Sequence, residues 1–214
     1  MSLGVGLTGS LAAGKSTVGR LLEARGAVRI DADELAREAV RPGSAGLEEI
    51  RGMWGDRVLA EDGTLDRPAM RSVVFGDREA RARLEEIVHA GVQTLRRERH
   101  AEAEARGARI VVDEIPLLYE LGLEDGFDAV VVVDAPLEVR RARAIAARGW
   151  TAEEFDGIEA SQLPAGEKVA RADHVILNDG DEAALARATA VVWRALERRA
   201  ADEAIGPRRA ADAG

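Results

Sequence analysis

Residues 3–22 read LGVGLTGSLAAGKSTVGRLL, three local patterns placed end to end. "LGVGLT" (3–8) has the composition of a short buried strand. "GSLAAGKS" (9–16) fits the spacing G-x-x-x-x-G-K-[ST]. "GKSTVGRLLEARG" (14–26) predicts a helix whose apolar stripe is Val18, Leu21 and Leu22. A strand, a loop of small residues and a helix N-terminus are what a phosphate cradle requires. Small residues let the backbone N–H groups curl around a phosphate chain, and the helix end adds donors and a favourable dipole. In such a loop Lys15 reaches the outer phosphates and the Ser16 hydroxyl ligates Mg²⁺. The chain carries two lysines against twenty-eight arginines, so a lysine at position 15 stands out. A compact ammonium on a slim stem fits a cradle where a guanidinium fork collides.

The same alternation of strand and helix continues along the chain. "AVRID" (27–31), "RIVVDEIP" (109–116), "DAVVVVDAP" (128–136) and "ADHVILN" (172–178) predict four more strands. Their near-continuous apolar runs suit a parallel sheet buried on both faces, with helices as crossovers. The expected fold is therefore α/β, a five-stranded parallel sheet of the P-loop NTPase type flanked by helices. Two regions interrupt the alternation. Residues 43–108 hold no convincing strand and predict a helical insertion, and 137–171 predict an Arg-rich helical lid. A single domain over 1–200 is expected, followed by a polar, small-residue tail that frays from about 198 and is disordered over 201–214.

Composition excludes several classes. There is no cysteine, hence no disulfide, thiolate metal site or cysteine nucleophile, which fits a cytoplasmic protein. The N-terminus has no signal-peptide pattern, and the longest apolar runs are too short to span a bilayer, so no membrane is expected. A net charge of −9 argues against nucleic-acid binding. The single asparagine, in "LNDG" (177–180), rules out an N-K-x-D guanine motif, and no D-x-x-G is present.

Acids sit where strands of the predicted sheet end. "IDADELAR" (30–37) places Asp31 and Asp33 at the carboxyl end of the second strand, where open α/β sheets bind ligands. A carboxylate there can accept a hydroxyl proton, hold Mg²⁺ or cap the helix that follows. Asp113 and Glu114 end the third strand, where one or the other supports Mg²⁺ through water or both are solvated strand-end acids. In the segment after them, Leu117, Leu118 and Tyr119 face a ligand or pack under the insertion. Arg140, Arg141, Arg143 and Arg148 lie in the expected lid, where some stabilise transferred charge and others balance nearby acids. His89 sits in an apolar helical pattern, the usual setting of a structural histidine. Asn178 ends the last strand, where a loop reaches an adenine or simply turns.

Taken together, "GLTGSLAAGKST", "IDADELAREAV", "GTLDR", "MRSVVF", "IPLLYE", the Arg-rich run to "RGW", Gln162 and "KVARADHVILNDG" resemble the dephospho-CoA kinases over residues 3–196. The resemblance implies an ATP-dependent kinase that phosphorylates the ribose 3′-hydroxyl of dephospho-CoA, as a monomer or small homo-oligomer. It implies that residues 9–17, including Gly9, Ala12, Ala13, Gly14, Lys15, Ser16 and Thr17, bind the ATP phosphates, with Asn178 near the adenine. Asp33 matches the general base, and Arg143 and Arg148 match lid arginines. His89, Pro116, Leu117 and Leu118 match positions near dephospho-CoA. The family commonly has His-Pro where this chain has His89-Ala90, and often Gly-Gly where it has Gly9-Ser10.

Overall fold

The computed structural model describes residues 2–205, without the side chains at 148 and 203–205. In chain order the elements are β1 (Leu3–Gly9), α1 (Lys15–Glu23), β2 (Val28–Asp31), α2 (Ala32–Glu38), α3 (Ala45–Trp54), α4 (Arg67–Val74) and α5 (Arg78–Ala105). Then come β3 (Ile110–Glu114), β4 (Ala129–Asp134), α6 (Leu137–Arg148), α7 (Ala152–Ala160), α8 (Ala165–Ala170), β5 (His174–Leu177) and α9 (Glu182–Ile205). The five predicted strands all form, and they make one sheet of order β2-β3-β1-β4-β5. β1 is central. Val5 stands opposite Val112 of β3 on one side and Ala129 of β4 on the other, in parallel register. Parallel strands send their carboxyl ends to one edge, which gathers Gly9, Glu114, Asp134 and Leu177 along it.

The chain divides into two compact units, one made of residues up to 29 with those from 103 onward, the other of 30–102. In the first, Val5, Leu7, Val112, Val131 and Val133 are fully enclosed and pack with Val18 and Leu22 of α1 and Leu185, Val192 and Leu196 of α9. Each such side chain contributes about 1.5–3 kcal/mol by leaving water. With three phenylalanines, three tryptophans and one tyrosine in the chain, aliphatic residues must supply this core. The second unit has its own smaller core of Val40, Ile50, Val58, Met70 and Ile87, edged by Trp54, Leu65 and Leu84. It takes in α2, α3, α4 and most of α5. Ser44 and Asp66 cap α3 and α4 through their side chains, and Pro68 occupies the first turn of α4, so local chemistry starts these helices.

The expected fraying from 198 is corrected, because α9 continues to Ile205. Val192, Leu196 and Ala200 recur at four-residue spacing and lie on the sheet core, and the alanine-rich end has high helix propensity. Of the tail expected over 201–214, residues 206–214 lie outside the described residues. The lid expected over 137–171 consists of α6, α7 and α8.

Candidate active site

The loop between β1 and α1 is held from three sides. Ser10, buried, donates its hydroxyl to Asp134 Oδ1 at 2.8 Å, and its N–H reaches Val133 O at 3.2 Å. Arg140 donates to Leu11 O at 3.4 Å. Asn178 donates its Nδ2 to Ala13 O at 2.8 Å. Between these anchors Ala12 takes a φ of 58°, a left-handed conformation that costs a non-glycine residue roughly 1–2 kcal/mol. Gly14 has φ 97°, and a Cβ there would fall 2.3 Å from Asn178 Nδ2, so both backbone and space require glycine. No side chain caps α1, and although the Thr17 N–H donates to Gly14 O, the N–H groups of Lys15 and Ser16 stand at the helix start, the usual place for an anion.

Lys15 and Ser16 converge on one acid. Glu114, at the end of β3 and 1% exposed, accepts from Lys15 Nζ at 2.9 Å and from Ser16 Oγ at 2.5 Å on Oε1. Its Oε2 accepts from Arg29 Nε at 2.8 Å, with Arg29 Nη2 at 2.7 Å. Burial pushes the Glu114 carboxyl up. The Lys15 charge and the hydrogen bonds from Ser16, Lys15 and Arg29 outweigh burial and hold it below its ordinary value. The carboxylate is thus ionised and its partners are set at the foot of the loop. Asp113 beside it is also buried. The reading of these two acids as solvated is therefore corrected: β3 is an interior strand, and Gly19 of α1 with Lys15, Ser16 and Arg29 closes over the Glu114 carboxylate.

Of the four arginines expected in a lid, two are occupied by acids of α7. Arg140 is 3% exposed and makes a two-point ion pair with Glu159, 2.7 Å on each oxygen, besides donating to Ala135 O at 2.9 Å. Arg141 pairs with Asp156 at 2.5 Å. Arg143 differs. It donates to the backbone O of Asn178 at 3.1 Å and approaches its Oδ1 at 3.4 Å, with no acid partner among the described residues. A chain of contacts therefore runs from Arg143 through Asn178 to the loop of residues 9–17. The Asn178 amide donates to Ala13 and accepts from Arg143, so its side chain helps to position the loop. The side chain of Arg148 lies outside the described residues.

Other expected positions separate. Asp31 is the N-cap of α2, accepting from the N–H of Asp33 at 2.8 Å and Glu34 at 3.2 Å. Asp33 is the second residue of α2 and exposed, so its carboxylate is not the cap. His89 is on an exposed stretch of α5, with its Nε2 3.3 Å from Gln93 Nε2, which corrects the expectation of an apolar setting. Pro116 is half-buried, its carbonyl fixed by the Thr8 hydroxyl at 3.1 Å, and Leu117 is 40% exposed. Leu118 is fully enclosed, and a Cβ on Gly6 would meet it at 2.6 Å. Its side chain fills the space over β1 and offers no surface to a ligand, a correction to its placing among substrate contacts.

Two ionic residues escaped the sequence reading. Arg29 is one; a charge inside the strand pattern "AVRID" was the available signal. The other is Lys168, the second lysine, whose side chain is 1% exposed with Nζ 2.7 Å from Glu120 Oε1. Glu120 also accepts from the N–H of Leu163 at 2.9 Å, which ties α8 and the turn before it to the segment after β3. Beside it Arg171 stacks over the Tyr119 ring at 4.5 Å and pairs with Glu124. Glu120→Ala is expected to lower stability by about 3–5 kcal/mol, because it leaves a buried ammonium unpaired. Chemical denaturation checks this, and a loss below 1 kcal/mol, roughly a surface pair's worth, overturns it. Burial raises the Glu120 carboxyl, but the bonds from Lys168 and Leu163 outweigh it and hold it low. A carboxyl depressed on folding stabilises above its unfolded value, and that contribution is lost as pH falls through the folded one.

No group of three or more acids, histidines or cysteines suited to a metal ion occurs among the described residues. The donors at hand are one hydroxyl, Ser16, and the Glu114 carboxylate that accepts from it. That set fits Mg²⁺, which keeps several waters and takes its remaining oxygens from phosphates.

A family model described as dephospho-CoA kinase matches residues 3–184. A dephospho-CoA kinase of Anaeromyxobacter dehalogenans is 50% identical over 182 residues, 85% of this chain and 86% of that protein. One of Thermobifida fusca is 43% identical over 197 residues, 92% and 98% of the two chains. Among solved structures, TT1252 from Thermus thermophilus is similar with a TM-score of 0.77 at 37% identity, covering 91% of this chain and 98% of its own. Dephospho-CoA kinase from Campylobacter jejuni gives a TM-score of 0.70 at 25% identity, covering 93% and 99%.

Proposed function

The chain belongs to the dephospho-CoA kinase family, kinases that convert dephospho-CoA to coenzyme A as the last step of coenzyme A biosynthesis, and from that premise we propose how its residues divide the reaction. The observation that carries the proposal is the loop of residues 9–17, with Lys15 and Ser16 gathered on Glu114 and Asn178 clamping Ala13.

The loop N–H groups and the start of α1 take the ATP phosphates. Lys15 exchanges Glu114 for the outer phosphates, and Arg143, already anchored on Asn178, adds positive charge from the lid together with Arg148. The 3′-oxygen of the dephospho-CoA ribose attacks the γ-phosphorus. The bond from that phosphorus to the bridging oxygen breaks, ADP leaves, and Asp33 takes the hydroxyl proton. Little covalent work falls to the protein; alignment and electrostatics supply the rate. Ser16 would hold Mg²⁺, with Glu114 or Asp113 supporting it through water, and the ion would neutralise phosphate charge when bound. Pro116 and Leu117, with His89, are the proposed contacts for dephospho-CoA, and Leu118 backs them from the core. The lid, α6 to α8, closes over ATP and excludes water that would otherwise hydrolyse it. A cytoplasmic setting, with ATP and dephospho-CoA as the sole partners of a monomer or small homo-oligomer, fits this chemistry.

A steady-state assay of ADP release with dephospho-CoA, nucleosides, nucleotides and shikimate as acceptors tests the reading. Turnover with dephospho-CoA and formation of coenzyme A are expected. Phosphorylation of another acceptor without coenzyme A overturns it, as does nucleotide binding with no transfer to any of them.

A further inference from the structure

The Glu114 carboxylate has two sides. Oε1 faces the phosphate loop and is shared by Lys15 and Ser16, while Oε2 is held by Arg29 through Nε and Nη2, at 2.8 and 2.7 Å. Arg29 and Glu114 are 11% and 1% exposed at their side chains, so neither charge relies on bulk water. The helix beside them makes room for the pair. Gly19, in the middle of α1, is unfavourable to the helix on its own. A Cβ at that position would come within 2.8 Å of both Arg29 Nε and Glu114 Oε2. The sequence therefore gives up a helix-forming residue at the one place where the Arg29–Glu114 contact passes.

This arrangement bears on how Lys15 is released. For phosphate to capture Lys15, the 2.9 Å pair with Glu114 must open. A buried carboxylate that loses its only cation is strongly penalised, and Lys15 would then be retained by Glu114. With Arg29 on the opposite oxygen, Glu114 stays charge-balanced after Lys15 leaves.

Resting on the nucleotide-site reading above, we propose that Arg29 is a positioning residue for Lys15: it holds Glu114 in balance, frees the lysine for phosphate and thereby sets nucleotide affinity. Arg29 touches neither phosphate nor acceptor in this role and acts through Glu114.

The test is a binding cycle with the β,γ-imido analogue of ATP, measured by calorimetry, alongside steady-state kinetics. Arg29→Met is expected to weaken binding of the analogue about tenfold. KM for ATP should rise in step, while kcat at saturating ATP stays within about twofold, because uniform binding alone is lost. Arg29→Lys keeps the charge and is expected to stay within about threefold of the parent, which also covers the case in which Arg29→Met does not fold. In a Glu114→Gln background, where no carboxylate restrains Lys15, adding Arg29→Met should change affinity by less than about twofold. Parent-like binding by Arg29→Met overturns the proposal. So does an undiminished loss in the Glu114→Gln background, or a loss in Arg29→Lys equal to that in Arg29→Met. The two readings fail separately: analogue binding is independent of the acceptor, so a parent that binds the analogue but forms no coenzyme A sinks the acceptor assignment and leaves Arg29 standing.

Discussion

Lys15→Ala is expected to cut turnover by about 10³-fold or more while the protein stays folded. The loss follows from the position of Lys15 as the one side-chain cation within loop residues 9–17, seated at the start of α1. Loop N–H groups bind phosphate in ground state and transition state alike, whereas an ammonium on the outer phosphates answers the charge that shifts during transfer. The survival of the fold follows from Arg29. Truncating Lys15 leaves Glu114 paired on Oε2, so no unpaired charge is stranded in the core. Coupled detection of ADP and a thermal melt check both halves. Near-parental turnover by the purified variant refutes the phosphate-loop role, and a collapsed melt refutes the argument that Arg29 suffices to balance Glu114.

Asp33→Asn is expected to lower kcat by at least ~10²-fold, the usual span for loss of a general base. The substitution is a clean probe because capping of α2 belongs to its neighbour. Asp31 accepts from the N–H groups of Asp33 and Glu34, and Asp33 contributes only its backbone to that turn. Asparagine preserves size and removes the negative charge near the helix start, worth about 0.3–1 kcal/mol of stability. KM for ATP should change little, since phosphate binding belongs to the loop. A loss of less than about tenfold in kcat removes Asp33 from proton transfer and leaves it a helix-stabilising charge.

The two aspartates show where residue order stops being informative. "IDAD" announces acids after a strand, but capper and free carboxylate differ only in backbone conformation: Asp31 is extended, with φ −99° and ψ 114°, and Asp33 is helical. "PLLYE" has a similar limit. Three of its residues are apolar, and composition does not separate Leu117, 40% exposed, from Leu118, which is enclosed. The arginines of α6 read alike in a row, yet Glu159 and Asp156 of α7 engage Arg140 and Arg141, and Asn178 engages Arg143. The scarcity of lysine was a usable signal twice and was used once. Both lysines sit against glutamates in little-exposed places, Lys15 on Glu114 and Lys168 on Glu120.

Patterns that act over a few residues were legible from the chain alone: five apolar strands, the helices between them and the glycine-bounded loop. Hydrophobic periodicity and turn chemistry are short-range, so each segment carries its own instructions. The strand order β2-β3-β1-β4-β5 and the ionic network beneath the loop were not legible. Lys15 meets Glu114 across 99 positions and Arg29 meets it across 85, because β3 inserts beside β1 in the sheet. Which acid faces which base at such separations is set by the packing of whole strands and helices, a property of the folded chain that no local stretch contains.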